Sequence, residues 1–186
     1  MKAFINSLYI HSILRFSLFT SVGLLFVLSA SRLYFGARLI IGLVFAGFSA
    51  YYLYLLFMAL SKGREPVDDY LEYSEYTVEE LEDEYKHAVK MGPVKMGMMH
   101  IYYLTPTSAK IVPISEIAAL ELTRRRRGRY NQYYYILHIT QMGDMSGDKL
   151  TFRSRAAAHG VVNSLRNRNP EIMNLGMDLP DPSSFF

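Results

Sequence analysis

Long charge-free stretches fill the first third of the chain, and short alternating runs fill the rest. FSLFTSVGLLFVLSAS, residues 16–31, carries no charge, and LIIGLVFAGFSAYYLYLLFMALS, residues 39–61, is longer and carries none either. A membrane span needs about 20 apolar residues. The second stretch meets that length, and the first meets it when Arg15 snorkels towards the interface. RLYFGAR between them suits a tight interfacial turn. The pattern therefore predicts a transmembrane helical hairpin over residues 1–62, with spans at about 12–31 and 39–60. Two other readings stay open for these stretches. Small residues at Ser29, Ala30 and Ser31 fit a cleaved leader, and either stretch could be a buried core helix.

Beyond Lys62 the period changes. Residues 63–92 read as an acidic linker whose first half is a solvated spacer and whose second half is an amphipathic helix at 77–90. Thr77 and Glu80 have the spacing of a capping box. Val78, Leu81, Tyr85, Ala88 and Val89 form an apolar stripe, and Gly92-Pro93 is a stop signal. From Val94 the period becomes two, and five or six antiparallel strands follow with turns at Pro106-Thr107-Ser108, at Gly128–Gln132 and at GDMSG. YYYILHIT is the strongest, with Tyr133, Tyr135, Leu137 and Ile139 on one face. Ser154 then caps a helix over 154–168 with Ala158, Val161, Val162 and Leu165 on one stripe. Residues 171–186 show no period and read as an irregular tail.

The fold class predicted is membrane-anchored α+β: a curved antiparallel sheet or barrel over 93–170, closed by its C-terminal helix. The runs "HIYYL", "KIVPISEIAALEL", "YYYILHI" and "KLTF", followed by a helix and "RNPEI", resemble the bacterial pleckstrin-homology-like domains. With the two-helix anchor in front, the layout resembles small bacterial membrane proteins that carry such a domain. The resemblance implies a curved β-structure used for binding and implies no catalysis. Those domains usually have seven strands, so one or two strands are expected within the stretch read as linker.

Charge and composition sharpen this picture. The chain has no cysteine, which removes disulfides, thiolate catalysis and Cys-based metal sites. Residues 65–84 hold ten acidic and no basic side chains, whereas residues 85–186 hold fourteen basic and seven acidic. A domain of that sign suits an anionic partner or surface. His11, His87, His100, His138 and His159 share no ligand spacing, so no metal or cofactor is expected. GDMSGDK lacks the ligand series of a calcium loop and reads as a hairpin turn. No nucleophile elbow and no phosphate loop is present, and the expectation is a binding or scaffolding protein rather than an enzyme.

Two sets of residues stand out. Arg124, Arg125, Arg126, Arg127 and Arg129 sit at a strand end and its turn, where alternation points them to both faces. The readings open for them are a solvated hairpin end, anionic lipid headgroups, an acidic protein partner or the chain's own segment 65–84, and nucleic acid stacked on Tyr130 and Tyr133–Tyr135. Gly42, Ala46 and Ala50 recur at four-residue spacing, which lets helices approach closely, either within the hairpin or in a homodimer. Lys2, Arg15, Lys62 and Arg64 on the terminal side of the hairpin outnumber Arg32 and Arg38 on the loop side. That bias predicts a multi-pass protein of the cell membrane with both termini and the soluble domain cytoplasmic.

Overall fold

Two apolar helices come first, α1 (Lys2–Ser29) and α2 (Phe35–Lys62). The computed structural model describes residues 1–29, 35–127, 132–143 and 147–175. The chain divides into two units, residues 1–83 with 104–110, and residues 84–103 with 111–186.

In the first unit both apolar helices are long and apolar enough to cross a membrane. Each has 28 residues, or about 42 Å at 1.5 Å per residue, against a hydrocarbon core of about 30 Å. They pack through aromatic pairs, with Phe19 stacked on Tyr52 at 4.2 Å and Phe26 on Phe45 at 5.4 Å between ring centres. Elsewhere their apolar side chains are exposed, among them Leu14, Leu18, Leu25, Leu43 and Phe57. The α1 helix starts ten residues before the span expected from charge. Met1, Phe4, Ile5, Leu8 and Ser12 recur at helical spacing and are buried, so its first turns are packed by protein. Lys2, Asn6, Ser7 and His11 lie between them, which is why a charge-free window misses this segment.

The residues expected as a solvated spacer form α3 (Glu65–Tyr73) instead. Pro66 fits the first turn, Glu65 and Asp68 sit at the positive end of the helix dipole, and Val67 is buried. Helix α4 (Val78–His87) opens on the capping box, with Thr77 N–H donating to Glu80 at 2.8 Å and Glu80 N–H to Thr77 Oγ1 at 3.3 Å. It ends three residues short of the expected 90. Gly92-Pro93 does not stop a helix but turns a hairpin between β1 (Val89–Met91) and β2 (Val94–Met96). Gly92 has φ of +64°, the conformation a two-residue hairpin asks of its first loop position.

Strands β3 (His100–Leu104) and β4 (Ala109–Pro113) complete a sheet of order β1-β2-β3-β4. The second sheet has order β7-β6-β5-β8, from β5 (Ile117–Arg127), β6 (Gln132–Gln141), β7 (Asp148–Phe152) and β8 (Met173–Asn174). Neither sheet closes into a barrel, which corrects that form of the expectation. Pro113 ends β4 without an N–H to donate, and a 3-10 turn at Ile114–Glu116 separates the sheets. The tail read as irregular contributes β8, which pairs parallel with β5.

One core joins both sheets to α5 (Arg155–Arg168). Val94, Ile101, Tyr103 and Val112 meet Leu120, Leu122, Leu137, Ile139 and Phe152, and the α5 stripe of Ala158, Val161, Val162 and Leu165 covers them. Ser154 caps α5 by accepting from the N–H of Ala157. Leu137→Ala, at a fully buried position, should cost about 2–5 kcal/mol. Thr151→Ala, on the exposed face of the neighbouring strand, should stay within about 0.5 kcal/mol. Equilibrium unfolding of the two variants side by side checks the assignment of faces.

Candidate functional site

The long β5–β6 ladder places the arginines. Leu120 stands opposite Ile139, Leu122 opposite Leu137, Arg124 opposite Tyr135 and Arg126 opposite Tyr133. These pairs share the core face, continued by Leu150 beside Leu137 and Phe152 beside Tyr135. The core ends at Tyr135, which is 8 % exposed, and Tyr133 beyond it is 39 % exposed. Arg124 and Arg126 therefore extend the apolar stripe past the core. Arg124 lies over the Tyr133 ring at 4.2 Å, an arrangement that orients the guanidinium at about 0.5–1 kcal/mol.

The opposite face carries Arg125 beside Tyr134, Thr123 beside Ile136 and Thr151, and Glu121 beside His138 and Lys149. Gln132, Tyr133, Tyr134 and Arg153 line an open cleft of about 500 Å³ at this end. A guanidinium, two phenols and an amide offer hydrogen-bond donors and no carboxylate, a set suited to an anion. Arg124, Arg125 and Arg126 are exposed and form no ion pair among the described residues. Arg127 pairs its backbone with Gln132, and Arg129 lies outside the described residues. The sequence pattern missed Arg153 and Gln132. They join the site only because β6 lies between β5 and β7.

The small-residue stripe on α2 is not the hairpin seam. Gly42 is half-buried, and Ala46 and Ala50 are exposed. The seam runs instead through Phe45 and Tyr52, with Gly23 of α1 under the Phe45 ring.

A second polar cluster lies at Glu84. Its Oε1 accepts from the backbone N–H of Met99 at 2.6 Å and of His100 at 3.1 Å. Its Oε2 accepts from His100 Nδ1 at 2.6 Å and Tyr102 Oη at 2.9 Å. Burial pushes this carboxyl up, but the Met99 N–H, the His100 ring and the Tyr102 hydroxyl together outweigh it and hold it below the usual carboxylate range. His100 and Tyr102 are buried, so the network is closed. A Cβ on Gly97 would run into the Glu84 side chain, so a larger residue here would push the carboxylate out of its hydrogen bonds. Arg168 from α5 donates to the Gly97 and Met98 carbonyls and clamps the same turn. The arrangement fixes the β2–β3 turn; it offers no group to a substrate. Among the described residues no three His, Asp or Glu side chains gather to hold a metal.

The profile of a domain of unknown function, DUF6709, matches residues 61–180. No curated protein and no solved structure matches the chain.

Glu84 gives a pH dependence whose sign is fixed. Its folded value lies below the ordinary 4.5, so its contribution is full above that value and is lost as pH falls through the lower folded value. Glu84→Gln cannot accept at the amide nitrogen and should cost about 1–3 kcal/mol. Its stability should also fall less than that of the wild type on acidification below 4.5. Thermal unfolding of both proteins across that range makes the comparison, and parallel curves would remove the role assigned to Glu84.

Proposed function

Because the chain belongs to the DUF6709 family, a domain of unknown function that covers residues 61–180, we propose its role from its own geometry: a membrane-anchored binding module whose basic sheet end contacts anionic lipid headgroups. The observation that carries this reading is the end of β5. Three exposed arginines without ion pairs among the described residues stand there beside a donor-lined cleft. Each basic residue near an anionic leaflet contributes about 1 kcal/mol, screened by salt.

Several features support the anchor. The most apolar stretches of the two long helices are left uncovered, with 11 % buried in the first and 0 % in the second. A core helix of a water-soluble protein would be covered instead. The excess of Lys2, Arg15, Lys62 and Arg64 over Arg32 and Arg38 supports a cytoplasmic placement of the termini and the β-rich unit. The pleckstrin-homology-like reading gains from the strand count: seven strands precede α5 among the described residues, with β1–β2, β2–β3, β5–β6 and β6–β7 paired antiparallel. In such a protein the arginines are not needed for attachment. They orient the domain on the surface or select the headgroup.

The full chain, held in neutral nanodiscs, should capture vesicles containing phosphatidylglycerol and ignore neutral ones. Capture should weaken with salt. Changing Arg124, Arg125 and Arg126 together to Ser should lower it by roughly tenfold or more, given about 1 kcal/mol per residue. Equal capture by the triple variant ends this reading.

A further inference from the structure

The β5 strand is eleven residues long, but β8 covers only its beginning. β8 pairs with Ala119 and Leu120, and the last contact is Leu175 N–H donating to the Leu120 carbonyl at 2.9 Å. From there to Arg127, no strand pairs with this side of β5 among the described residues. Peptide groups alternate the edge to which they point along a strand. Since Leu120 turns its carbonyl towards β8, Leu122, Arg124 and Arg126 turn their N–H and C=O to that same side. None of these three has a backbone partner there among the described residues.

We propose that this edge accepts an acidic, extended segment of a partner protein as an added strand. Main-chain hydrogen bonds from an added strand give affinity, and side chains on both faces give selectivity. Here the selecting side chains are Arg124 and Arg126 on one face and Arg125 on the other. Acidic residues on both faces of the incoming strand match them. A second copy does not fit, because two such edges would set arginines against arginines, and like charges across a strand pair destabilise it. Neutral strands lack the charge match, so the same arginines that keep the edge from aggregating select the acidic partner.

This inference rests on reading the chain as a binding module, but its edge lies on the β8 side of β5, whereas the donor-lined cleft lies towards β6 and β7. The test uses the full chain in detergent and a labelled peptide alternating Glu with Val. Binding should be saturable and salt-sensitive. A peptide with Pro at alternate positions, which lacks the edge donors, should bind at least about tenfold more weakly. On the protein side, Arg126→Ser removes a charge alone, whereas Arg126→Pro removes the charge and one edge N–H without touching the β6 ladder. The proline variant should bind more weakly than the serine variant, at matched thermal stability. Equal binding by the alternating and proline-containing peptides would overturn the proposal, because charge alone would then suffice. Binding that appears only after removal of residues 176–186 would overturn it too, by assigning the edge to the chain's own tail. Absence of peptide binding with vesicle capture intact sinks strand addition only. Loss of both sinks the binding module itself.

Discussion

The pairing of β5 with β6 is the constraint on which the rest of the β-rich unit depends. Ten of its register pairs run from Ile117–Gln141 to Arg127–Gln132. At one end the ladder supplies Leu120, Leu122, Leu137 and Ile139 to the core. At the other it projects Arg124 to Arg126 into solvent. A strand of rigid two-residue period cannot serve both ends independently. Every side chain on the core face is followed two residues on by another on the same face, so burying Leu122 sets the direction of Arg124. The basic end is thus held in place by hydrophobic burial elsewhere in the same strand, with no ion pair needed to fix it.

The two polar networks serve opposite ends. Around Glu84 every strong acceptor position meets a donor, and the donors come from a helix-adjacent turn, a buried histidine and a buried tyrosine. Such a network is worth most when fully satisfied, and this one locks the β2–β3 turn against α4 and, through Arg168, against α5. At the basic end the donors outnumber the acceptors. Arg124, Arg125, Arg126, Arg153 and the neighbouring phenols have no carboxylate among them. A surplus of donors on a rigid support is what an anionic partner needs, whereas a balanced, buried network is what a fold needs.

Much was legible along the chain. The charge-free runs locate the two long helices, the period-two runs locate β3 and β5 to β7, Thr77 and Glu80 mark the start of α4, and Ser154 that of α5. What failed did so for physical reasons. The spacer became α3 because Pro66 and two early acids stabilise a first turn and Val67 has a place to be buried. Glycine followed by proline is a stop signal for a helix, yet the same pair turns a hairpin once β1 and β2 pair. The barrel did not form because Pro113 and the turn after it interrupt the continuity of the strands.

The sequence by itself determined the apolar helices, the alternation of β5 and β6, and the sign of the charge at their tip, because local period and composition set these without a partner. Only the tertiary structure decided which face of β5 is inside. It also brought Arg153 beside Tyr134, filled the acceptor positions of Glu84, and ended β8 after two residues. Each of those depends on residues tens of positions apart being packed into register, and no local pattern records that register.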